Sequence, residues 1–346
     1  MNIETLQRST VKALVPYNPE LLAEYRYKID ANENGYDIPL VARKKILSEL
    51  KKLTFNRYPE AGSSKLRSIL AKKNGVNPNN IVIGNGSDEL IHYLLQAFTD
   101  KNDKIVAPAP SFDMYRILAL TNGAKPVIVP LNDNFDLDEK AMILAAKNAK
   151  FIFLAYPNNP TGNCFSEEII RRIIKAVDCF VVIDEAYFEF SGKSFLKMMS
   201  KNKKIIILRT FSKAYSLASM RVGYMLAAPE IIRVINKVRL PYNLNTVSMI
   251  CACIMAKTNI TKVVKKIRLD RDKLYASLKK DYLVVKSDAN FLLIKVNNGN
   301  KVKNLFEKNG ISVRMFKTGR LKNFLRITIG TPDENMAALK ILKRGV

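Results

Sequence analysis

Residues 44–228 alternate short apolar runs with stretches in which apolar residues recur at helical spacing. The runs at 81–83, 105–107, 127–129, 151–155, 180–183, 205–208 and 223–227 lack polar alternation, which predicts strands buried on both faces. Seven such strands separated by helices predict a mostly parallel sheet sandwiched by helices, an α/β fold. After Pro229 the pattern changes to long helices, clearest at 259–280, and to strands at 283–285, 291–296, 311–315 and 325–329. The predicted organisation is an N-terminal arm over residues 1–35, carrying Pro16 and Pro19 and belonging with neither sheet, a large domain over 36–240, and a smaller α+β C-terminal domain over 241–346. No internal repeat or low-complexity linker interrupts it.

The net charge of +26 raises nucleic acid as a partner. The lysines, however, stand in pairs flanking leucine stripes, as at 42–53 and 262–280, which is the pattern of solvated helix faces. No zinc-finger spacing, RNP-like aromatic sequence or appended helix-turn-helix accompanies them, so nucleic acid is not expected as the main partner and small anionic substrates are. The opening MNIETLQRST lacks the apolar core of a secretory signal, and no run is long enough to span a bilayer, so no membrane association and a cytoplasmic protein are expected. Four cysteines without a CxxC pair and a single histidine predict reduced thiols and no metal site.

Four stretches carry candidate chemistry. In IGNGSDELIHYLLQAF a strand ends, Gly84 and Gly86 relax the backbone, and a helix opens at Ser87 and Asp88; its start is either a phosphate seat or an ordinary helix end capped by one of those two side chains. His92 inside this helix reads as a packed or solvated side chain. In AYPNNPTGN, a turn after a strand, Asn159 offers a side-chain donor. In CFVVIDEAYFEF, Asp184 follows an apolar run where a carboxylate needs a partner, and Tyr187 can point its hydroxyl into the same crevice. In TFSKAYSLASMRVGY, Lys213 follows a buried strand, at the strand end where open α/β sheets bind ligands. A phosphate at Ser87 and Asp88, a cationic ring nitrogen at Asp184, a phenolate-like oxygen between Asn159 and Tyr187 and a carbonyl carbon at Lys213 match one cofactor, pyridoxal 5′-phosphate.

In order and approximate spacing, NNPTG, DEAYFEF, TFSKAYSLASMRVGY and KVRLPYNLN, together with VPYNP at Tyr17 and LRITIGTPDEN at Arg326, resemble the fold-type-I aminotransferases over nearly the whole chain. The resemblance implies a Schiff-base lysine at Lys213, with Thr210, Ser212 and Arg221 on the cofactor phosphate, and Arg221 as a cation that helps to keep the amine unprotonated. It implies Asp184 on the pyridine nitrogen, Tyr187 and Asn159 on the ring oxygen, and Phe112 stacked on the ring where relatives commonly carry tyrosine. Arg326 with its companion Arg314 is implied for the substrate anion. Tyr17 is implied near the substrate and Tyr58 on the phosphate of the neighbouring subunit, which requires a homodimer. ANENG at 31–35 departs from the usual NENP. The implied reaction is amino transfer between L-histidinol phosphate and 2-oxoglutarate, yielding glutamate; threonine-phosphate decarboxylation and aromatic amino-acid transfer remain alternatives.

Overall fold

The computed structural model describes residues 6–12, 14 and 24–344. Its strands are β1 (Tyr27–Lys28), β2 (Ile81–Gly84), β3 (Lys104–Ala109), β4 (Lys125–Pro130), β5 (Ala149–Ala155), β6 (Phe180–Asp184), β7 (Ile205–Thr210), β8 (Gly223–Leu226), β9 (Leu283–Val285), β10 (Phe291–Lys295), β11 (Ile311–Ser312), β12 (Arg314–Phe316) and β13 (Phe324–Thr328). Seven of them form one sheet in the order β2-β8-β7-β6-β5-β3-β4. Only β8 runs against the rest, being antiparallel to both β2 and β7, so the predicted mostly parallel sheet is present.

Successive residues of the central strands enter different cores. Phe151, Phe153, Val182, Ile206 and Leu208 pack with the helices Ser87–Phe98 and Pro229–Val238 on one face. Ile152, Leu154, Val181, Ile183, Ile205 and Ile207 pack on the other. With apolar partners on both sides, these strands have no need of polar alternation. The exception is the edge strand β4, whose Pro126 and Pro130 lack backbone donors and whose residues are mostly exposed or half-buried.

The second sheet has the order β12-β13-β10-β9 and is antiparallel throughout. The predicted strand at 311–315 is divided. Ile311 and Ser312 pair in parallel with β1, whereas Arg314–Phe316 pairs with β13. Residues 27–28 of the arm thus contribute to a small third sheet, and the Ile29 carbonyl accepts from the Thr328 N–H. The helix Thr246–Ala256 lies against the helices Leu40–Leu50 and Ser64–Asn74. No single helix among the described residues is long and apolar enough to cross a membrane. All four cysteines are unpaired.

A buried ion pair joins these layers behind the sheet. Arg209, 3% exposed, donates to Glu185 Oε2 from both Nε (2.9 Å) and Nη2 (2.7 Å). Its Nη1 reaches Asn74 Oδ1 (2.6 Å) and Nη2 also reaches Ser194 Oγ (3.0 Å). Glu185 further accepts from the Ser194 hydroxyl and the Phe195 N–H. Removing one member of such a pair strands the other charge in the core. Arg209→Met is therefore expected to destabilise the protein by about 3–5 kcal/mol, with part of the loss recovered in Arg209→Met/Glu185→Gln. The check is the urea midpoint of each variant, and a single variant as stable as the wild type would contradict it.

Candidate active site

The carboxyl ends of β3, β5, β6 and β7 converge on a cavity of about 700 Å³ that the second sheet closes through Val313–Phe316 and Arg326. Ser87, Asp88, Phe112, Asn159, Asp184, Tyr187, Thr210, Ser212, Lys213, Arg221, Arg314 and Arg326 all line it. Tyr58 lies elsewhere, 82% exposed and stacked on Tyr242 with ring centroids 4.7 Å apart. Tyr17 lies outside the described residues. A second cavity of about 690 Å³, between the helices Leu40–Leu50, Ser64–Asn74 and Thr246–Ala256, contains none of these residues.

At one end of the cavity the helix Ser87–Phe98 starts from Gly86 at φ 87°, and no side chain caps it. Neither Ser87 nor Asp88 plays that part, so the reading as a self-capped helix end fails and its amide donors stay available to an anion. Arg221, in the left-handed region at φ 53°, donates from Nη1 to Ser212 Oγ and the Ala218 carbonyl, both at 3.2 Å, and from Nη2 to Asp88 Oδ2 at 3.4 Å. Thr210 Oγ1 accepts from the Ser212 N–H at 3.1 Å. A Cβ on Gly86 would come within 2.6 Å of Arg221 Nη2, and one on Gly223 within 2.4 Å of the Ser87 nitrogen. Backbone amides, hydroxyls and a guanidinium therefore come together only because these two positions lack side chains.

Asp184, at the end of β6, is 4% exposed. Its Oδ2 accepts from Tyr115 Oη (2.8 Å) and its Oδ1 from the Ala186 N–H (3.1 Å). Burial raises its pKa to about 6, and those two donors restrain the rise, so the carboxylate is charged at neutral pH and able to face a cationic group. Phe112 meets Tyr115 edge to face, with ring centroids 5.5 Å apart, so its ring lines the cavity while Tyr115 supports the carboxylate beneath. Tyr115 escaped notice in the sequence although it belongs to the same SFDMY segment as Phe112; nothing local marks it as a partner of Asp184.

Lys213 Nζ donates to the Ala31 carbonyl at 2.9 Å. Its pKa falls to about 8, first through burial and then through Arg326; Arg221, expected to help, also lowers it but contributes less than Arg326. Arg326 donates from Nη1 to Asn159 Oδ1 (2.6 Å) and from Nη2 to the Asp30 carbonyl (2.5 Å). It stands directly opposite Arg314 in the β12–β13 ladder. Like charges paired across strands are unfavourable, and an anion held between them removes the conflict. Tyr187, 5% exposed, accepts at Oη from Asn32 Nδ2 (3.0 Å). Asn32, in the ANENG strap, is another member of the site that the sequence did not single out.

The chain belongs to the aminotransferase class I and II family, whose model matches residues 24–342. It is 40% identical over 347 residues to a histidinol-phosphate aminotransferase of Caldanaerobacter subterraneus subsp. tengcongensis, covering 99% of each chain. To the enzyme of that name from Thermococcus gammatolerans it is 39% identical, covering 96% of this chain and 95% of the other. Among solved structures, a histidinol-phosphate aminotransferase of Sinorhizobium meliloti in complex with pyridoxal-5′-phosphate superposes with a TM-score of 0.88 over 97% of each chain; at 23% identity this likeness shows the shared fold.

The depressed amine of Lys213 has a measurable consequence. Between about pH 8 and 10.5 the folded wild type has released a proton that its unfolded chain still holds, so this lysine makes wild-type stability climb with pH across that window. Lys213→Met removes the dependence. The stability of the cofactor-free variant relative to wild type is expected to decline steadily over the same interval; a difference independent of pH would mean that the amine keeps an ordinary pKa.

Proposed function

We propose that the chain is a pyridoxal-phosphate-dependent histidinol-phosphate aminotransferase, interconverting L-histidinol phosphate and 2-oxoglutarate with 3-(imidazol-4-yl)-2-oxopropyl phosphate and L-glutamate. The observation that carries the reading is the convergence of Lys213, Asp184 and Arg326 on one cavity, with the lysine amine shifted towards neutrality. The cofactor fits the residues present. Its phosphate suits the uncapped helix start with Ser87, Asp88, Thr210, Ser212 and Arg221, its ring nitrogen suits Asp184, and its ring oxygen suits Tyr187 and Asn159. When bound, the cofactor supplies a carbonyl that takes up the substrate amine and a ring that accepts the electrons released when the substrate carbon loses its proton.

The protein's own groups do the rest. Lys213 Nζ, about half of it unprotonated near pH 8, takes the proton from the substrate carbon and returns it. Asp184, held by Tyr115 and Ala186, keeps a negative charge in a dry site opposite the ring nitrogen. Asn159 is fixed by Arg326 through Oδ1, which leaves Nδ2 to donate. Phe112 provides an aromatic face without a hydroxyl. Histidinol phosphate has no carboxylate, so its phosphate and the α-carboxylate of glutamate take turns at Arg326, with Arg314 meeting the additional phosphate oxygens.

The same reading includes a homodimer in the cytoplasm. Phe55 (87% exposed), Tyr58, Leu240 (65%) and Tyr242 leave apolar surface uncovered away from the chain's own cavity, as expected if Tyr58 serves the phosphate of a second copy. In this reading the small unit, 241–346, carries the two substrate arginines and the large unit, 36–240, carries the cofactor residues. Tyr17, in the arm over 1–35, is assigned to the substrate side.

The test is single-turnover kinetics of each half-reaction, followed through the cofactor's absorbance, alongside a substrate panel scoring amino transfer against carbon dioxide release. Arg326→Lys keeps the charge but loses the planar fork, and kcat/KM is expected to fall in both half-reactions by about 1.5–3 kcal/mol of transition-state stabilisation. A loss confined to glutamate would refute the shared anion site. Carbon dioxide release from threonine phosphate would replace the assigned reaction altogether.

A further inference from the structure

Asn32 is 1% exposed and lies in the left-handed region at φ 56°. Its backbone N–H donates to Thr328 Oγ1 (2.9 Å), the Thr328 hydroxyl donates back to Asn32 Oδ1 (3.4 Å), and Asn290 Nδ2 donates to the Asn32 carbonyl (3.2 Å). In this arrangement the side-chain amide has Oδ1 towards Thr328 and Nδ2 donating to Tyr187 Oη. A phenol oxygen that accepts from an amide keeps its own hydrogen for another acceptor. Among the described residues no protein group accepts the Tyr187 O–H within hydrogen-bond distance, and Tyr187 lines the cavity.

We propose that Asn32 is a positioning residue that sets the direction of the Tyr187 hydroxyl, so that Oη accepts from Asn32 and donates into the cavity to the anionic ring oxygen of the cofactor. The inference rests on the reading that Tyr187 faces that oxygen. Thr328 belongs to the same relay, because its hydroxyl donates to the Oδ1 end of the Asn32 amide and so favours Nδ2 facing Tyr187. With the amide reversed, or with a carboxylate in its place, the Tyr187 proton would point away from the cavity. A donor on the ring oxygen draws off negative charge that would otherwise help to hold a proton beside Lys213 Nζ, so losing the donor raises the pH at which that proton leaves.

The experiment is a pH titration of the bound cofactor's absorbance in wild type, Asn32→Asp, Tyr187→Phe and the double variant, all loaded with pyridoxal phosphate. Tyr187→Phe and Asn32→Asp are each expected to raise the midpoint, on the order of one unit for the lost donor. The charge added by Asn32→Asp acts in either background, whereas the reversal of the hydroxyl requires Tyr187. The shift caused by Asn32→Asp should therefore be clearly smaller when Tyr187 is already Phe. Should Asn32→Asp fail to fold, Thr328→Val, which frees the amide to turn, takes its place in the same cycle. Equal shifts in the two backgrounds overturn the inference and leave the cofactor assignment standing. A wild-type protein with no cofactor absorbance overturns both.

Discussion

A carboxylate must stay charged at the end of a strand whose other residues are apolar, and much of the architecture follows from that requirement. Asp184 forms no ion pair among the described residues; its charge is held by Tyr115 Oη and the Ala186 N–H. Burying a charge with so little compensation costs free energy that the remainder of the fold supplies. The strands on either side, β5 and β7, are packed on both faces, and the Glu185–Arg209 pair ties the next residue of the chain to a neighbouring layer. The backbone of Asp184 is held between Ala155 of β5 and Leu208 of β7. Stability behind the sheet is thus exchanged for an electrostatic demand in front of it.

Lys213 presents the complementary case. Burial removes the proton from an amine as it restores one to a carboxylate, so the same dry cavity moves the two groups towards each other's pKa: about 8 for the lysine and about 6 for the aspartate. Arg326 joins the two ends of the site. It helps to depress Lys213, orients Asn159 and faces Arg314, and so couples the arginine pair electrostatically to the buried amine. An anion that neutralises Arg326 weakens its pull on Lys213. In the proposed reaction, a bound substrate anion would therefore raise the proton affinity of the amine.

The sheet was legible in the sequence because both faces of each central strand are covered, leaving uninterrupted apolar runs such as 151–155 and 205–208. The site residues at strand ends were legible for a related reason: a charge such as Asp184 directly after such a run is out of place unless a ligand or donor meets it. The division between β11 and β12 was not legible, since Ile311 to Met315 reads as one strand and only the positions of β1 and β13 separate its two halves. Nor were Tyr115 and Asn32, whose partners lie 69 and 155 residues away. A hydroxyl or amide looks the same in sequence whether it meets water or a distant carboxylate or phenol.

The opposition of Arg314 and Arg326 is fixed by backbone pairing between β12 and β13 rather than by the reach of their side chains. Directly opposed residues in an antiparallel ladder keep their Cβ atoms about 4.5–5.5 Å apart. Because side chains alternate from face to face, a slip of one residue would move one guanidinium to the opposite side of the sheet. The two side chains leave the sheet at a fixed spacing, and that spacing belongs to the ladder. Within this architecture, a different spacing between the two Cβ atoms would have to arise through a bulge or a new register, a change that point substitution on either arginine cannot produce.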